Sequence, residues 1–250
     1  MTALKMRHRR LVTVVLVVVG IGAAIAMSGN ASADVLFVVA VAPALYIVWH
    51  FHHADKYKTE SVSLLLGTFL LGGVAAVIAA LIEPQPPSTG GLGTMFLFFL
   101  VSVALVEELA KFAAVRFFAY RSAQFDETMD GVIFGITAAM GFAAVENIGY
   151  VFQFGGLIAI FRAFVSVPGH AFYGAIIGYY LGEAKVRRNP WLVVLGLAIA
   201  IGFHAFFDTL SATAGLFALI VLPALVWFIY FAIVRKEIAK AQSESPYRPA

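Results

Sequence analysis

Two adjacent carboxylates and a lysine, Glu107, Glu108 and Lys111, lie inside an apolar run from about residue 92 to residue 119. That run is long enough to cross a bilayer, and each charge near the centre of a membrane span costs roughly 2.5 to 3.5 kcal/mol. On a helix Lys111 can reach either carboxylate, because it follows them by four and three residues. A glutamate placed in this way is suited to act as a general base or acid. We therefore interpret the cluster as a functional site rather than as a structural group of charges between packed helices.

Two histidines lie in the middle of later apolar runs. His170 follows Pro168-Gly169, and His204 precedes Asp208 by one helical turn. A carboxylate one turn from a histidine can fix its tautomer or support a metal-bound ring, although each feature alone is equally consistent with packing. At a rise of about 1.5 Å per residue, both histidines and both glutamates would lie about 20–24 Å along their spans. We expect them to meet near the middle of the membrane.

Glu146 and Asn147 follow a group of small residues and would lie, with Asp208, toward the outer mouth of the bundle. Glu146 is either a further carboxylate of the site or the ion-pair partner of Arg162. The predicted spans contain four carboxylates and two cations, and a dry cavity needs protonation, a histidinium or a divalent cation to offset that surplus. We expect water to enter from the outer side, past Glu146 and Asp208.

The composition is that of a membrane protein. The chain is 62% hydrophobic and 12% charged, whereas a soluble domain has about 25% charged residues. Apolar runs of about 18 residues or more predict an all-α, polytopic bundle of about eight transmembrane helices. They lie at roughly residues 11–28, 35–53, 61–82, 92–119, 129–153, 157–182, 190–211 and 213–235. The absence of cysteine excludes disulfides, thiolate catalysis and Cys-ligated metal sites.

The basic residues lie on one side of the predicted membrane. Of the 17 Lys and Arg residues, all but Lys111 and Arg162 lie in the two termini or in alternate loops. This pattern predicts cytoplasmic N and C termini, and it indicates membrane topology rather than nucleic-acid binding. We expect a single transmembrane domain over residues 1–236, with the site within 92–211. A polar cytoplasmic tail, disordered because it is poor in apolar residues, is expected over residues 237–250.

The first span admits another interpretation. A basic start, an apolar run and Ala31-Ser32-Ala33 also resemble a cleavable signal peptide. The apolar run is longer than the usual core of a signal peptide, which favours an uncleaved span. Neither interpretation changes the chemistry expected of the later spans.

Four motifs, in chain order, resemble those of the PrsW family of bacterial intramembrane proteases. They are Glu107-Glu108-x-x-Lys111, Phe142-x-x-x-Glu146, His170 and His204-x-x-x-Asp208. The family is related to the CAAX prenyl endopeptidases and to bacteriocin-processing enzymes, but the lysine spacing and Glu146 favour PrsW over a prenyl-protein protease. The resemblance implies a multi-pass protein of the bacterial cytoplasmic membrane. Its substrates would be membrane-anchored proteins such as anti-sigma factors.

We predict that Glu107, Glu108, His170 and His204 are catalytic, with support from Lys111, Glu146, Asn147 and Asp208. In a metal-free mechanism one glutamate activates water directly, while His204 and either Asn147 or Asp208 stabilise the oxyanion. In a zinc mechanism His170, His204 and Glu108 hold Zn²⁺, whose bound water has a pKa of about 7. The two histidines share no local scaffold, which slightly favours the metal-free mechanism, although the family is often classed among metallopeptidases. The cofactor is therefore either none or Zn²⁺.

Two other classes of protein remain open. A proton- or cation-coupled transporter is the main alternative, because buried carboxylates and histidines also form proton relays. Ion flux without peptide cleavage would favour it. A non-catalytic membrane scaffold would instead tolerate the loss of its glutamates while still binding its partner.

Overall fold

The structure, a computed structural model, describes residues 33–249. This part of the chain contains helices and no strands, and seven of its helical segments are long and apolar enough to cross a membrane. The prediction of an all-α, polytopic membrane bundle is confirmed. The first predicted span, residues 11–28, lies outside the described residues. The cytoplasmic placement of both termini stays a prediction.

The helices are α1 Ala33–His52, α2 Val62–Ile82, α3 Leu92–Arg121, α4 Thr128–Phe154, α5 Gly156–Phe164, α6 Ser166–Arg187, α7 Trp191–Thr213 and α8 Gly215–Ser243. Helices α5 and α6 form one span, interrupted at Val165. Wide π-helical turns occur within α3 at Phe99–Ala104 and within α8 at Tyr230–Val234. The predicted ends differ by only a few residues, except that α6 and α8 continue further toward their C-terminal ends.

The C-terminal segment packs against loops at the end of the bundle that carries the basic residues. The predicted division of the chain at residue 236 stays a prediction, but helix α8 continues across it as far as Ser243. The side-chain amide of Gln242 donates a hydrogen bond to the carbonyl oxygen of Ala54 at 2.8 Å. The hydroxyl of Tyr247 donates to the carboxylate of Asp126 at 2.7 Å. These bonds join the end of the chain to the loops before α2 and α4.

Helix α4 is the centre of the bundle. In its apolar stretch 94% of the residues are buried, against 22% in α3 and 33% in α2. Small residues allow this burial, because they let neighbouring backbones approach closely. A Cβ atom on Gly135 of α4 would lie 2.1 Å from the carbonyl oxygen of Gly174 on α6, and one on Gly141 would lie 1.8 Å from that of Phe69 on α2. Helix α4 therefore contacts α2 and α6 through its backbone. This close packing fixes the position of α6, which carries His170.

Replacing Gly135 with alanine is expected to destabilise the protein by about 1–3 kcal/mol or more, because α4 and α6 must separate to admit the methyl group. Gly149→Ala, on the same helix, is the matched control, since a Cβ atom there meets no other described residue within 4 Å. Thermal unfolding of both variants in the same detergent measures the difference. Equal melting temperatures for the two variants would contradict the close contact of α4 with α6.

Candidate active site

Three charged residues on α3 form one buried cluster. The Lys111 Nζ atom lies 3.1 Å from Glu107 Oε2 and 2.8 Å from Glu108 Oε1. The exposed fractions are 6% for Glu107, 0% for Glu108 and 2% for Lys111. The ring centroid of Phe142 lies 4.2 Å from the same ammonium nitrogen, within the range of a cation–π contact. Lys111 thus contacts both carboxylates and lies between them and α4.

Helix α7 brings His204 to this cluster. Its Nδ1 atom lies 2.7 Å from Glu108 Oε1, and its Nε2 atom lies 3.4 Å from Asp208 Oδ2 and 3.9 Å from Glu107 Oε2. A carboxylate accepts hydrogen bonds, so Nδ1 carries a proton toward Glu108. His204 therefore contacts three carboxylates, two from α3 and one from its own helix.

Helix α6 brings His170 to the other side of Lys111. Its Nδ1 atom lies 3.0 Å from Lys111 Nζ, and its Nε2 atom lies 2.9 Å from Glu146 Oε2. An ammonium group can only donate, so Nδ1 is the acceptor and the ring proton is on Nε2, which faces Glu146. The centroids of the His170 and His204 rings are 5.4 Å apart. The four residues predicted as catalytic are thus brought together from α3, α6 and α7.

Glu146 belongs to the site and also to an ion pair. Besides His170, its Oε2 atom lies 3.1 Å from Arg162 Nη2. Arg162 Nε donates to the side-chain oxygen of Asn147, whose amide nitrogen donates to the carbonyl of Ala40 at 3.0 Å. The two interpretations of Glu146 are therefore compatible. Asn147 is fully buried and holds Arg162 against α1, so both of its polar atoms have partners within the protein.

A cavity of about 830 Å³ reaches this cluster. The residues that line it include Glu107, Glu146, His170, His204 and Asp208. The lining also includes the segment from Glu83 to Pro86, which leads from α2 to α3 at the end of the bundle away from the basic loops. Its volume is within the range of ligand-binding pockets and is many times the share of one water molecule. The cavity is therefore large enough to hold water and part of an extended peptide beside Glu107.

The two glutamates have different surroundings. Glu107 lines the cavity, whereas Glu108 lies behind that wall, fully buried between Lys111 and His204. The π-helical turn at Phe99–Ala104 directly precedes the segment that carries both residues, and such turns often occur at functional sites. Of these two glutamates, Glu107 is the one placed to meet water in the cavity.

Two residues of the cavity wall, Glu83 and Tyr173, were not identified from the sequence. Glu83 directly follows α2 at the rim, and one of its carboxylate oxygens is buried without a hydrogen-bond partner in residues 33–249. Burial, with a smaller contribution from the nearby Glu146 carboxylate, raises the pKa of Glu83 to about 7. The sequence signals were weak: a carboxylate next to a proline-rich loop, and a tyrosine three residues after a histidine.

Replacing Glu83 with glutamine is expected to change how stability depends on pH. The unfolded carboxyl loses its proton near its ordinary pKa of 4.5, whereas the folded one keeps it to about 7. Between these values the folded state binds more protons, so stability falls as pH rises through that window. Glu83→Gln should therefore melt at a higher temperature than the wild type at pH 8 and at a similar temperature at pH 4.5. A constant difference across this range would contradict the raised pKa. The effect should be modest, because the side chain is half-exposed.

A metal ion is the other group that this cluster could hold. One donor atom from each of Glu107, Glu108, His170 and His204 lies within 4.8 Å of the others, and zinc binds such nitrogen and oxygen donors. The second carboxylate oxygen of Glu108 is also buried without a hydrogen-bond partner among the described residues. However, the ammonium of Lys111 contacts three of the four donor residues. The donor types fit zinc, but an ion could bind among these donors only if the ammonium of Lys111 moved away from them.

Comparison with known proteins identifies the family of the chain. Residues 60–234 match the model of the PrsW family of intramembrane metalloproteases. The protease PrsW of Halalkalibacterium halodurans is 30% identical over 200 residues, covering 78% of this chain and 93% of that protein. The PrsW of Oceanobacillus iheyensis is 32% identical over 197 residues (78% and 91%), and that of Bacillus subtilis 31% over 207 residues (80% and 94%). No solved structure matches the chain.

Helices long enough to cross a membrane, together with a buried cluster of glutamate and histidine beside a cavity, are the features expected of an intramembrane protease. The chain belongs to the PrsW family of intramembrane metalloproteases. The predicted family and the predicted class of enzyme are thus confirmed, and the protein is a multi-pass bacterial membrane protein. Family membership favours a protease over the transporter and the scaffold that the sequence left open.

Proposed function

We propose that this chain is an endopeptidase of the bacterial cytoplasmic membrane, that it cleaves membrane-anchored proteins, and that Glu107 is its general base. The observation that carries the proposal is the position of Glu107, whose carboxylate both lines the cavity and contacts Lys111. A substrate segment that enters the cavity would bring its peptide carbonyl and a water molecule to the same wall. The reacting groups would then be held together in a volume sheltered from lipid.

The reaction follows from these contacts. Glu107 takes a proton from water while the water oxygen bonds to the carbonyl carbon, and the π electrons of the carbonyl move to its oxygen. When the carbonyl re-forms, the carbon–nitrogen bond breaks, and the leaving nitrogen takes the proton from Glu107. The products are one carboxylic acid and one amine, and Glu107 returns to its starting state.

The other residues of the cluster position these groups. Glu108 accepts from both Lys111 and His204 and so fixes the ammonium and the imidazole. Asp208 contacts the far nitrogen of the His204 ring, and Glu146 does the same for His170. We assign Asn147 to holding Arg162 rather than to the oxyanion, because its amide group donates to Ala40. In this mechanism Lys111 is the resident cation of the site.

A zinc-dependent mechanism is the second candidate, supported by the description of the family and by the cluster of four donor residues. His170, His204 and Glu108 would hold the ion, which would lower the pKa of a bound water and act as a Lewis acid. Lys111 would first have to leave its present partners. The two candidates therefore differ in what chelation does to activity.

The lining of the cavity supports a proposal about the position of the cleaved bond. It includes residues at the end of the bundle away from the basic loops, and the charge pattern predicts that this end lies outside the cytoplasm. We propose that the cleaved bond lies in the outer half of a single-span substrate or just beyond it. Anti-sigma factors, which the family resemblance implies, are candidates of this kind.

The test is cleavage of a single-span peptide by the purified full-length chain in liposomes, with and without a chelator and with metal analysis. Cleavage that survives chelation in metal-free protein would support the mechanism based on Glu107 and Lys111. Loss of cleavage on chelation, restored by Zn²⁺, would support the second candidate. Ion flux through the liposomes without any cleavage would overturn the proposed function.

A further inference from the structure

A buried hydroxyl in the cavity wall has no hydrogen-bond partner among the described residues. Tyr173 is only 1% exposed, and its hydroxyl oxygen has no hydrogen-bond partner in residues 33–249. The residue nevertheless lines the cavity that reaches Glu107. Burial of an unpaired hydroxyl destabilises a folded protein, so a group of this kind calls for an explanation. The cavity offers one, because a bound molecule there can accept the hydrogen bond.

The position of Tyr173 is fixed by both histidines. It follows His170 by three residues on α6 and thus shares its helix face. Its ring is stacked on that of His204, with centroids 5.2 Å apart and planes at 19°. A Cβ atom on Gly169 would lie 3.6 Å from the hydroxyl oxygen, in van der Waals contact, so glycine at that position places no side chain against the hydroxyl. Gly169 lines the cavity as well.

The other donors of the cluster already have acceptors. Lys111 contacts Glu107, Glu108 and His170. The protonated nitrogen of His170 faces Glu146, and that of His204 faces Glu108. Peptide hydrolysis nevertheless requires a donor for the carbonyl oxygen, which becomes negative as water adds to the carbon. Tyr173 has a hydroxyl proton that is not committed to any described residue.

We propose that Tyr173 is an oxyanion donor: its hydroxyl donates a hydrogen bond to the carbonyl oxygen of the bond being cleaved. The proposal rests on the proposed function and adds a residue that contacts the substrate. The phenol keeps its proton throughout, and the proton from water goes to Glu107 as before. Because the hydroxyl is held in a site shielded from bulk water, its hydrogen bond stabilises the transition state without the solvent reorganisation that a mobile donor would require.

Tyr173→Phe tests the proposal, because it removes the oxygen and keeps the ring that stacks on His204. With the full-length protein and a single-span peptide in liposomes, kcat should fall by about 10²–10³-fold, with KM within about twofold of the wild type. The melting temperature should stay the same or rise by a few degrees, because an unpaired buried hydroxyl has been removed. A residue with only a structural role would not combine lower activity with equal or higher stability.

Tyr179→Phe is the matched control, since Tyr179 is also buried on α6 and lies outside the cavity wall. Its activity should equal that of the wild type. If the wild type cleaves the peptide and Tyr173→Phe cleaves it within about threefold of the same rate, the role of Tyr173 is overturned and the proposed function stands. If the wild type does not cleave a membrane-anchored peptide, the proposed function and this inference are both overturned.

Discussion

Glu107→Gln is expected to lower kcat for peptide cleavage by about 10²–10⁴-fold, the usual contribution of a general acid–base residue. The glutamine amide is close in size to the carboxylate but cannot take a proton from water. Lys111 keeps Glu108 and His170 as partners, so the fold should survive the change. Initial rates in liposomes, compared at equal amounts of folded protein, measure the effect, and thermal unfolding checks the fold.

Glu108→Gln distinguishes the role of Glu108, which positions Lys111 and His204, from that of Glu107, the proposed base. Glu108 is fully buried and contacts both Lys111 and His204, so its loss should lower the melting temperature as well as the activity. Glu107→Gln should lower activity alone. Glu244→Gln, a change of the same type at an exposed position, should affect neither. Wild-type rates in Glu107→Gln would show that Glu107 is not the base. Wild-type rates in both Glu107→Gln and Glu108→Gln would show that this cluster takes no part in the reaction.

The fold could be predicted from the sequence because each span is a separate signal. An apolar run of membrane length determines one helix without reference to the others, so the spans from α1 to α7 agree closely with the predicted ones. The C-terminal segment could not be predicted in this way. Its polar composition indicates solvent exposure, but Gln242 is buried because its amide reaches Ala54, which lies 188 residues earlier in the chain.

The members of the site could be predicted, but not their orientation. Ionisable residues in a span have few explanations, and similar depths along their spans predicted that Glu107, Glu108, His170 and His204 would lie close together. Adjacent residues on a helix point about 100° apart. The π-helical turn at Phe99–Ala104 also rotates the residues after it relative to their positions in a regular α-helix. For this reason the sequence could not determine which glutamate lines the cavity. Tyr173 could not be identified from the sequence, because its hydroxyl stands out only by having no hydrogen-bond partner among residues 33–249, which the structure shows.

Lys111→Met is expected to destabilise the protein by about 3–5 kcal/mol, because it leaves two buried carboxylates without their common cation. Methionine is similar to lysine in length and apolar, so the change removes the charge with little loss of volume. Lys236→Met, the same substitution at an exposed position, should change stability by less than about 0.5 kcal/mol. Thermal unfolding in one detergent, with the metal content measured, compares the two variants. Equal stability of Lys111→Met and Lys236→Met would contradict the role of Lys111 as the cation of the site.

Lys111→Met also distinguishes the metal-free mechanism from the zinc-dependent mechanism. If Lys111 is the only cation that offsets Glu107 and Glu108, then adding Glu108→Gln to Lys111→Met should recover part of the lost stability, because one uncompensated charge is removed. The coupling between the two changes should then be of the order of 0.5–3 kcal/mol, as for residues in direct contact. If zinc offsets the carboxylates instead, Lys111→Met should remain stable while zinc is present and lose stability on chelation. The response of this one variant to a chelator therefore identifies the cation around which the buried carboxylates are arranged.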